Sequence, residues 1–216
     1  MKCVVTAGPS YEPLDEVRRL TNFSTGQLGS GLANFLAAHG HEVILLLGYY
    51  ASYRGDQKAR QVDTFTTTAD LRSRLQAFAG QEIGAVFHAA AVSDFTFGKI
   101  WERNERGELI GCDERKTSTR KGSLLAELQP TPKIIADLRA WFPRARIVGW
   151  KYELDGDRAG VIELARQQMA KNRTDACVVN GAAYGGGFGL VTEGGDCVHS
   201  TDAATLYVAL DQFIKA

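Results

Sequence analysis

Asn22-Phe23-Ser24-Thr25-Gly26-Gln27-Leu28-Gly29-Ser30-Gly31 is the stretch that decides the fold of this chain. It stands between two apolar segments of different period. Before it, Cys3-Val4-Val5-Thr6-Ala7-Gly8 is a short apolar run of strand type. After it, Leu32, Phe35 and Leu36 recur at helical spacing as far as Gly40, and 42–47 is apolar again. Strand, glycine-rich turn, helix and strand make the opening unit of a nucleotide-binding sheet. An insertion at 9–21 separates strand from glycines and carries Glu12, Asp15, Glu16, Arg18 and Arg19. A plain dinucleotide site has no need of such an insertion, so it is a place to look for chemistry.

The alternation continues along the chain. Residues 61–67 predict a weaker strand, and Leu71, Leu75 and Phe78 mark the helix after it. A near-continuous apolar run at 83–91 predicts a central strand buried on both faces. From 95 to about 129 charged residues dominate (Lys99, Glu102, Arg103, Glu105, Arg106, then Glu114-Arg115-Lys116), which predicts one or two hairpins with a mobile loop. Pro132 opens a helix through Ile134, Ile135, Leu138, Trp141 and Phe142. A strand at 146–154 follows, then a helix with Val161, Leu164, Ala165 and Met169 on one face. Ala176-Cys177-Val178-Val179 is the last parallel strand of this reading. Gly185-Gly186-Gly187 forms a hinge before a hairpin at 189–199 that turns at Gly194-Gly195. Thr201-Asp202 cap a closing helix bearing Leu206, Tyr207, Leu210, Phe213 and Ile214.

The pattern predicts an α/β fold: a doubly wound, mostly parallel sheet, Rossmann-like in its ribokinase-like variant, with a small β-hairpin and loop excursion. One domain is expected over 1–216, with the excursion at 95–130. A chain of 216 residues buries roughly 70% of its unfolded surface and needs no disulfide staples. Its four cysteines are scattered, so reduced thiols are expected. A net charge of +0 argues against a sequence-independent nucleic-acid partner. No apolar run reaches the roughly 18 residues of a membrane span, and the immediate strand leaves no room for a signal peptide. A cytoplasmic protein with no membrane partner is expected.

Four constellations bear on chemistry. Glycines 26, 29 and 31 do not fit GxGxxG, yet a glycine-rich turn opening a helix offers oriented N–H donors to a phosphate. The same glycines would equally serve close helix–sheet packing. Ala89-Ala90-Ala91-Val92-Ser93-Asp94 follows the central strand, where open α/β sheets bind ligands. Asp94 there suits a ribose hydroxyl, a base amine or a metal, or else a turn cap. His88, inside the apolar run, reads as an interior histidine before it reads as a catalyst. Arg115-Lys116-Thr117-Ser118-Thr119-Arg120-Lys121 would clamp a triphosphate, or simply face water. Gly149-Trp150-Lys151 offers a ring for a base or for the core, and Asn180 ends a strand on the ligand side. HExxH, paired Cys/His metal spacing, GxSxG and GxxxxGK[ST] are all missing from the sequence.

Read together, these pieces resemble the phosphopantothenoylcysteine synthetases, or phosphopantothenate–cysteine ligases, of the DNA/pantothenate metabolism flavoprotein C-terminal domain family. The resemblance rests on Thr6 through Asp15, Val17 through Gly26, the Ala89–Asp94 run, Pro130-Thr131-Pro132-Lys133-Ile134, Gly149-Trp150 and Lys171 through Asn180, in the family's order. It implies a doubly wound fold and a homodimer. It also implies a two-step reaction, in which the carboxylate of 4′-phosphopantothenate attacks the α-phosphate of CTP or ATP and releases pyrophosphate. The amine of L-cysteine then displaces the nucleotide.

By the same resemblance Asn22 and Arg18 would contact phosphopantothenate and the intermediate. Gly8, Ser24, Gly26 and Gly29 would lie along the phosphates. Ala90 and Asp94 would line the nucleoside pocket, with Asn180 and Trp150 near base or sugar. Lys116 would serve the triphosphate, and Mg²⁺ would bridge its oxygens, with no protein ligands assigned to it. Two departures stand out. The family's lysine-rich element reads Lys116-Thr117-Ser118-Thr119 here, and its Gly-Phe-Ala-Ala-Glu-Thr reads Gly149-Trp150-Lys151-Tyr152-Glu153-Leu154. The flavin-dependent decarboxylase often fused to such a domain has no counterpart in this sequence, so a stand-alone form without flavin is expected. The alternatives are a divergent non-ligating paralogue that binds a nucleotide or a pantothenate derivative, and an NAD(P)-dependent reductase. Against the reductase stand the missing GxGxxG and the lack of a Tyr-x-x-x-Lys pair.

Overall fold

A computed structural model describes residues 1–111, 123–194 and 196–216. In chain order it contains β1 (Lys2–Ala7), β2 (Tyr11–Pro13), β3 (Arg19–Thr21), α1 (Gln27–Ala38), β4 (Glu42–Gly48), β5 (Gln61–Phe65) and α2 (Thr68–Gln76). Then come β6 (Ala85–His88), β7 (Phe95–Arg103), β8 (Leu109–Gly111), β9 (Ser123–Pro130), α3 (Ile134–Trp141) and β10 (Arg146–Tyr152). The chain closes with α4 (Arg158–Asn172), β11 (Ala176–Asn180), β12 (Phe188–Thr192), β13 (Cys197–Ser200) and α5 (Ala203–Lys215).

Eight strands form the central sheet in the order β13-β12-β11-β10-β6-β1-β4-β5. Pairing is parallel from β5 to β11, and the β12–β13 hairpin adds antiparallel strands at one edge. The chain winds outward from β1 in one direction, returns to β6, and winds outward in the other. That reversal opens a crevice at the carboxyl ends of β1 and β6, where doubly wound sheets take their ligands. The predicted doubly wound fold is the one observed.

Side chains alternate through the sheet. Cys3, Val5, Val43, Leu45, Phe87, Val148 and Val178 pack against Leu32 and Leu36 of α1 and Leu206 and Leu210 of α5. Val4, Ile44, Leu46, Val86 and Ile147 face the opposite way, onto Leu71 and Leu75 of α2 and Ile134 and Leu138 of α3. Cys177, Val179 and Val191 meet Val161, Ala165 and Met169 of α4 on that second side. Burial on both faces explains why these strands read as continuous apolar runs. Burial also pushes the Cys3 and Cys177 thiols up to about 12, so both stay protonated. His41 Nε2 lies 2.7 Å from Asp211 Oδ1 and ties the start of β4 to α5. Burial pushes the Asp211 carboxyl up, but hydrogen bonds from Lys215 and His41 outweigh it and hold the group below its ordinary value.

Among the described residues the excursion is a separate three-stranded antiparallel sheet in the order β8-β7-β9. Its polar look comes from a ribbon standing outside the main layers, with Phe95, Leu109, Ile110 and Leu128 exposed. Residues 112–122 of the excursion, within the stretch where a mobile loop is expected, lie outside the described residues. One predicted boundary moves. The strand expected over 83–91 is only Ala85–His88, because the following alanines turn away and Ala91 N–H donates to Gly8 O over 3.0 Å. Pro132 stands two residues before α3, next to its N-cap Lys133, as expected of a proline that opens a helix. No helix among the described residues is long and apolar enough to cross a membrane.

Candidate active site

β1 ends at Ala7, and Gly8 turns the chain with φ +81°; a Cβ there would stand 2.9 Å from the Cβ of Ala51. The insertion that follows is the antiparallel β2–β3 hairpin. It is sewn to the segment that follows β6 by three contacts. Ser10 N–H donates to Ala91 O over 3.1 Å, Ser93 N–H donates to Ser10 Oγ over 2.8 Å, and Asn22 Nδ2 donates to Ala91 O over 3.1 Å. The amide of Asn22 is thereby held at the strand ends. Past it, Gly26 takes the left-handed conformation that starts α1. No side chain caps this helix, and Thr25 Oγ1 takes only the Gln27 N–H, at 3.2 Å. The positive end of α1 thus faces a ligand-sized space.

Gly29 answers to packing. A Cβ on it would fall 2.6 Å from the Cβ of Ala7, so only glycine lets α1 lie this close on β1. The two readings of the glycine run therefore hold at different positions: Gly29 serves close approach, while Gly26 shapes the open helix end.

A cavity of about 1080 Å³ runs across the strand ends. Gly8, Asn22, Ser24, Gly26, Gly29, Ala90, Asp94, Trp150 and Asn180 all line it. Arg18 is not part of that lining. It sits in the β2–β3 turn with Nη2 2.5 Å and Nε 3.0 Å from Asp15 Oδ2. Lys116 lies outside the described residues.

Lys133, Lys151, Gln167, Gln168 and Lys171 also line the cavity and had no role from the sequence. Lys133 and Lys171 sat inside the quoted motifs, but a lysine beside a helix end reads as solvated until its neighbours are known. Gln167 and Gln168 stand next to the apolar positions of α4 in sequence, and no local pattern marks them.

The lining is electropositive. Its carboxylate among the described residues is Asp94, which forms an ion pair with Lys133, and both side chains are about two-thirds exposed (67% and 63%). Asp94 is thus neither a helix cap nor free. Lys151 pairs with Glu153 over 2.8 Å. Lys171 has no ion-pair partner among the described residues. Trp150 packs against the α1–α5 side of the core, yet its indole Nε1 is buried without a hydrogen-bond partner, as is Oδ1 of Asn180. Buried polar atoms left unpaired beside a cavity call for a polar occupant.

His88 is an interior histidine. Its Nδ1 lies 3.0 Å from Thr6 Oγ1, which also accepts the Ala90 N–H over 3.1 Å. Burial pushes its pKa down to about 4, so the ring is neutral at physiological pH. No group of three or more His, Cys, Asp or Glu side chains among the described residues is placed to cage a metal.

Residues 1–207 match the family described as DNA/pantothenate metabolism flavoprotein C-terminal domain. The chain is 30% identical over 190 residues to a cysteine/cysteine sulfinic acid decarboxylase from an unknown prokaryotic organism, covering 87% of this chain and 48% of that protein. It is 30% identical over 179 residues to coenzyme A biosynthesis bifunctional protein CoaBC of Thermococcus kodakarensis, covering 83% and 41%. The chain therefore spans less than half the length of these curated relatives. The crystal structure of the DNA/pantothenate metabolism flavoprotein from Streptococcus pneumoniae superposes with a TM-score of 0.84 at 25% identity, over 100% of this chain and 98% of that one. With nearly its whole length matched, the chain belongs to the DNA/pantothenate metabolism flavoprotein C-terminal domain family.

Proposed function

We propose that this chain ligates 4′-phosphopantothenate to L-cysteine in coenzyme A biosynthesis, driven by CTP or ATP. The observation that carries the reading is convergence: nine residues separated by up to 172 positions, from Gly8 to Asn180, line one cavity at the strand-order reversal. A ligase of this kind needs position and positive charge more than a strong base. That suits a site whose histidine is neutral and whose lining is rich in lysine.

In this reading the pantothenate carboxylate attacks the α-phosphate, pyrophosphate leaves, and the cysteine amine displaces the nucleotide from the acyl-nucleotidyl intermediate. The open end of α1 and Lys171 hold phosphate, with Gly8, Ser24 and Gly26 beside it. The Asn22 amide orients the reacting carboxylate. Ala90, Trp150 and Asn180 flank the nucleoside. The reading also assigns Arg18 to phosphopantothenate and Lys116 to the triphosphate. Mg²⁺ would enter with the triphosphate and supply charge neutralisation as pyrophosphate leaves; this ion keeps several waters and takes one or two carboxylates beside phosphate oxygens.

A homodimer is part of the same reading. Its support is the three-stranded sheet, where among the described residues β9 pairs with β7 alone and carries exposed Leu128; such an edge invites pairing with another chain. The test is direct. Purified protein with phosphopantothenate, L-cysteine and Mg²⁺ should release pyrophosphate from CTP or ATP, and no release from either rules the reading out. Light scattering at assay concentration reads the oligomer.

A further inference from the structure

Outside the cavity, α5 braces the helix whose open end faces it. The Tyr207 hydroxyl donates to the main-chain carbonyl of Leu28 over 2.9 Å, across 179 positions of sequence. Leu28, Gly31 and Phe35 stand about one turn apart on the receiving face of α1. The Phe35 ring lies 5.9 Å from the Tyr207 ring. Gly31 makes room for the contact. A Cβ there would run into the Tyr207 hydroxyl, with ring carbon Cζ at 3.1 Å. The third glycine of the run thus accommodates a side chain of α5.

The donor is held firmly. Leu206 and Leu210 beside it are buried in the core, and Asp211, one turn on, is tied to His41 over 2.7 Å. Burial pushes the Tyr207 hydroxyl up to about 12, with Tyr53 adding to the shift, so it keeps its proton at neutral pH.

The acceptor matters because of what shares its peptide group: the carbonyl of Leu28 and the N–H of Gly29 are its two ends. The ladder of α1 begins where Ser30 N–H donates to Gly26 O over 3.0 Å. The Gly29 N–H lies before that point and has no partner among the described residues. Gly29 lines the main cavity, where the buried Trp150 Nε1 and Asn180 Oδ1 also lack partners. A carbonyl has two lone pairs and the helix ladder takes one, so Tyr207 adds a bond without displacing another. A donor at the carbonyl end polarises the peptide and strengthens the bond its N–H makes by about 10–30%.

We infer that Tyr207 is a positioning residue of the phosphate site: its hydroxyl fixes the first turn of α1 and polarises the Leu28–Gly29 peptide, so that the Gly29 N–H meets an anion as a stronger donor. The inference rests on the ligase reading, in which the open end of α1 holds phosphate. Tyr207 itself touches no substrate.

Tyr207→Phe keeps the ring and removes the donor. The KM for the triphosphate should rise about three- to fivefold, while the KM for L-cysteine stays as it was. A tyrosine that only packs would move both KM values together or neither. Gly31→Ala tests the contact from the other side. Alanine favours a helix over glycine, so α1 should persist, but the methyl displaces the hydroxyl and should give the same loss. In the double variant the two losses should not add, because one hydrogen bond is removed twice. Circular dichroism of each variant checks folding. Additive losses, or an unchanged triphosphate KM in Tyr207→Phe, would overturn the assignment.

Calorimetric titration of inorganic pyrophosphate separates this inference from the ligase reading. If the wild type releases no pyrophosphate from either triphosphate, that reading fails and the titration decides alone. Weaker binding to Tyr207→Phe than to the wild type supports the role of Tyr207; equal binding, or none to the wild type, overturns it.

Discussion

The side-chain amide of Asn22 donates to the main-chain carbonyl of Ala91 over 3.1 Å, joining residues 69 positions apart. The bond fixes the end of the β2–β3 insertion to the end of the central strand. One amide hydrogen is spent on the scaffold, and the other, with Oδ1, remains for the cavity. The insertion is thus an arm that brings one polar side chain to the crevice.

Asn22→Ala should separate folding from function. It removes one neutral hydrogen bond at a half-exposed site, worth about 0.5–1.5 kcal/mol, so the protein should still unfold cooperatively. Turnover should fall about 100-fold or more, as when a donor aimed at the reacting group is deleted. Thermal unfolding and steady-state pyrophosphate release measure the two effects. Normal turnover would remove Asn22 from the reaction.

Gly29→Ala should damage both. The added methyl would stand 2.6 Å from the Cβ of Ala7, on backbone that cannot swing aside. Overpacking of this kind costs about 1–3 kcal/mol. It would also push α1, and with it the open helix end, away from the strand ends. Urea unfolding and the KM for the triphosphate should change together; a variant as stable as wild type would contradict the close contact.

Lys171→Ala should raise the nucleotide KM about tenfold at low salt, and the difference should shrink as salt is added. The reason is that Lys171 has no ion-pair partner among the described residues and faces a cavity read as holding phosphates. Lys116→Ala should behave in the same way, by the family resemblance. A salt-independent KM in either variant would return that lysine to the solvated surface.

His88 predicts an acid limb in stability. Its pKa falls from 6.5 to about 4 on folding because burial disfavours the charged ring. The unfolded chain therefore binds more protons in that window, and stability is lost as pH falls from about 6.5 toward 4, by at most about 3 kcal/mol. Below about pH 4 this contribution levels off. Urea midpoints from pH 7 to 4.5 should show the slope, and His88→Asn should flatten it.

The elements were legible in the sequence because each follows from local periodicity. The apolar runs at β1, β4 and β6, the face of α5 and the Asp202 cap, which accepts the Thr205 N–H over 2.8 Å, need only near neighbours to be recognised. The excursion was harder to read. Its strands lie outside the main layers, and with no buried face the alternation that marks a strand is faint.

What the sequence determined by itself was the family of nucleotide-binding units and the positions where polar residues interrupt the sheet. Tertiary structure alone decided which of those residues meet. Thr6 reaches His88 across 82 positions, Lys133 reaches Asp94 across 39, and Asp211 reaches His41 across 170. Arg18 pairs with Asp15 inside the β2–β3 turn, a contact only three residues long. The physical reason is range. Periodicity is set by contacts three or four residues apart, whereas charge pairing and cavity lining depend on strand order, which no window of sequence contains.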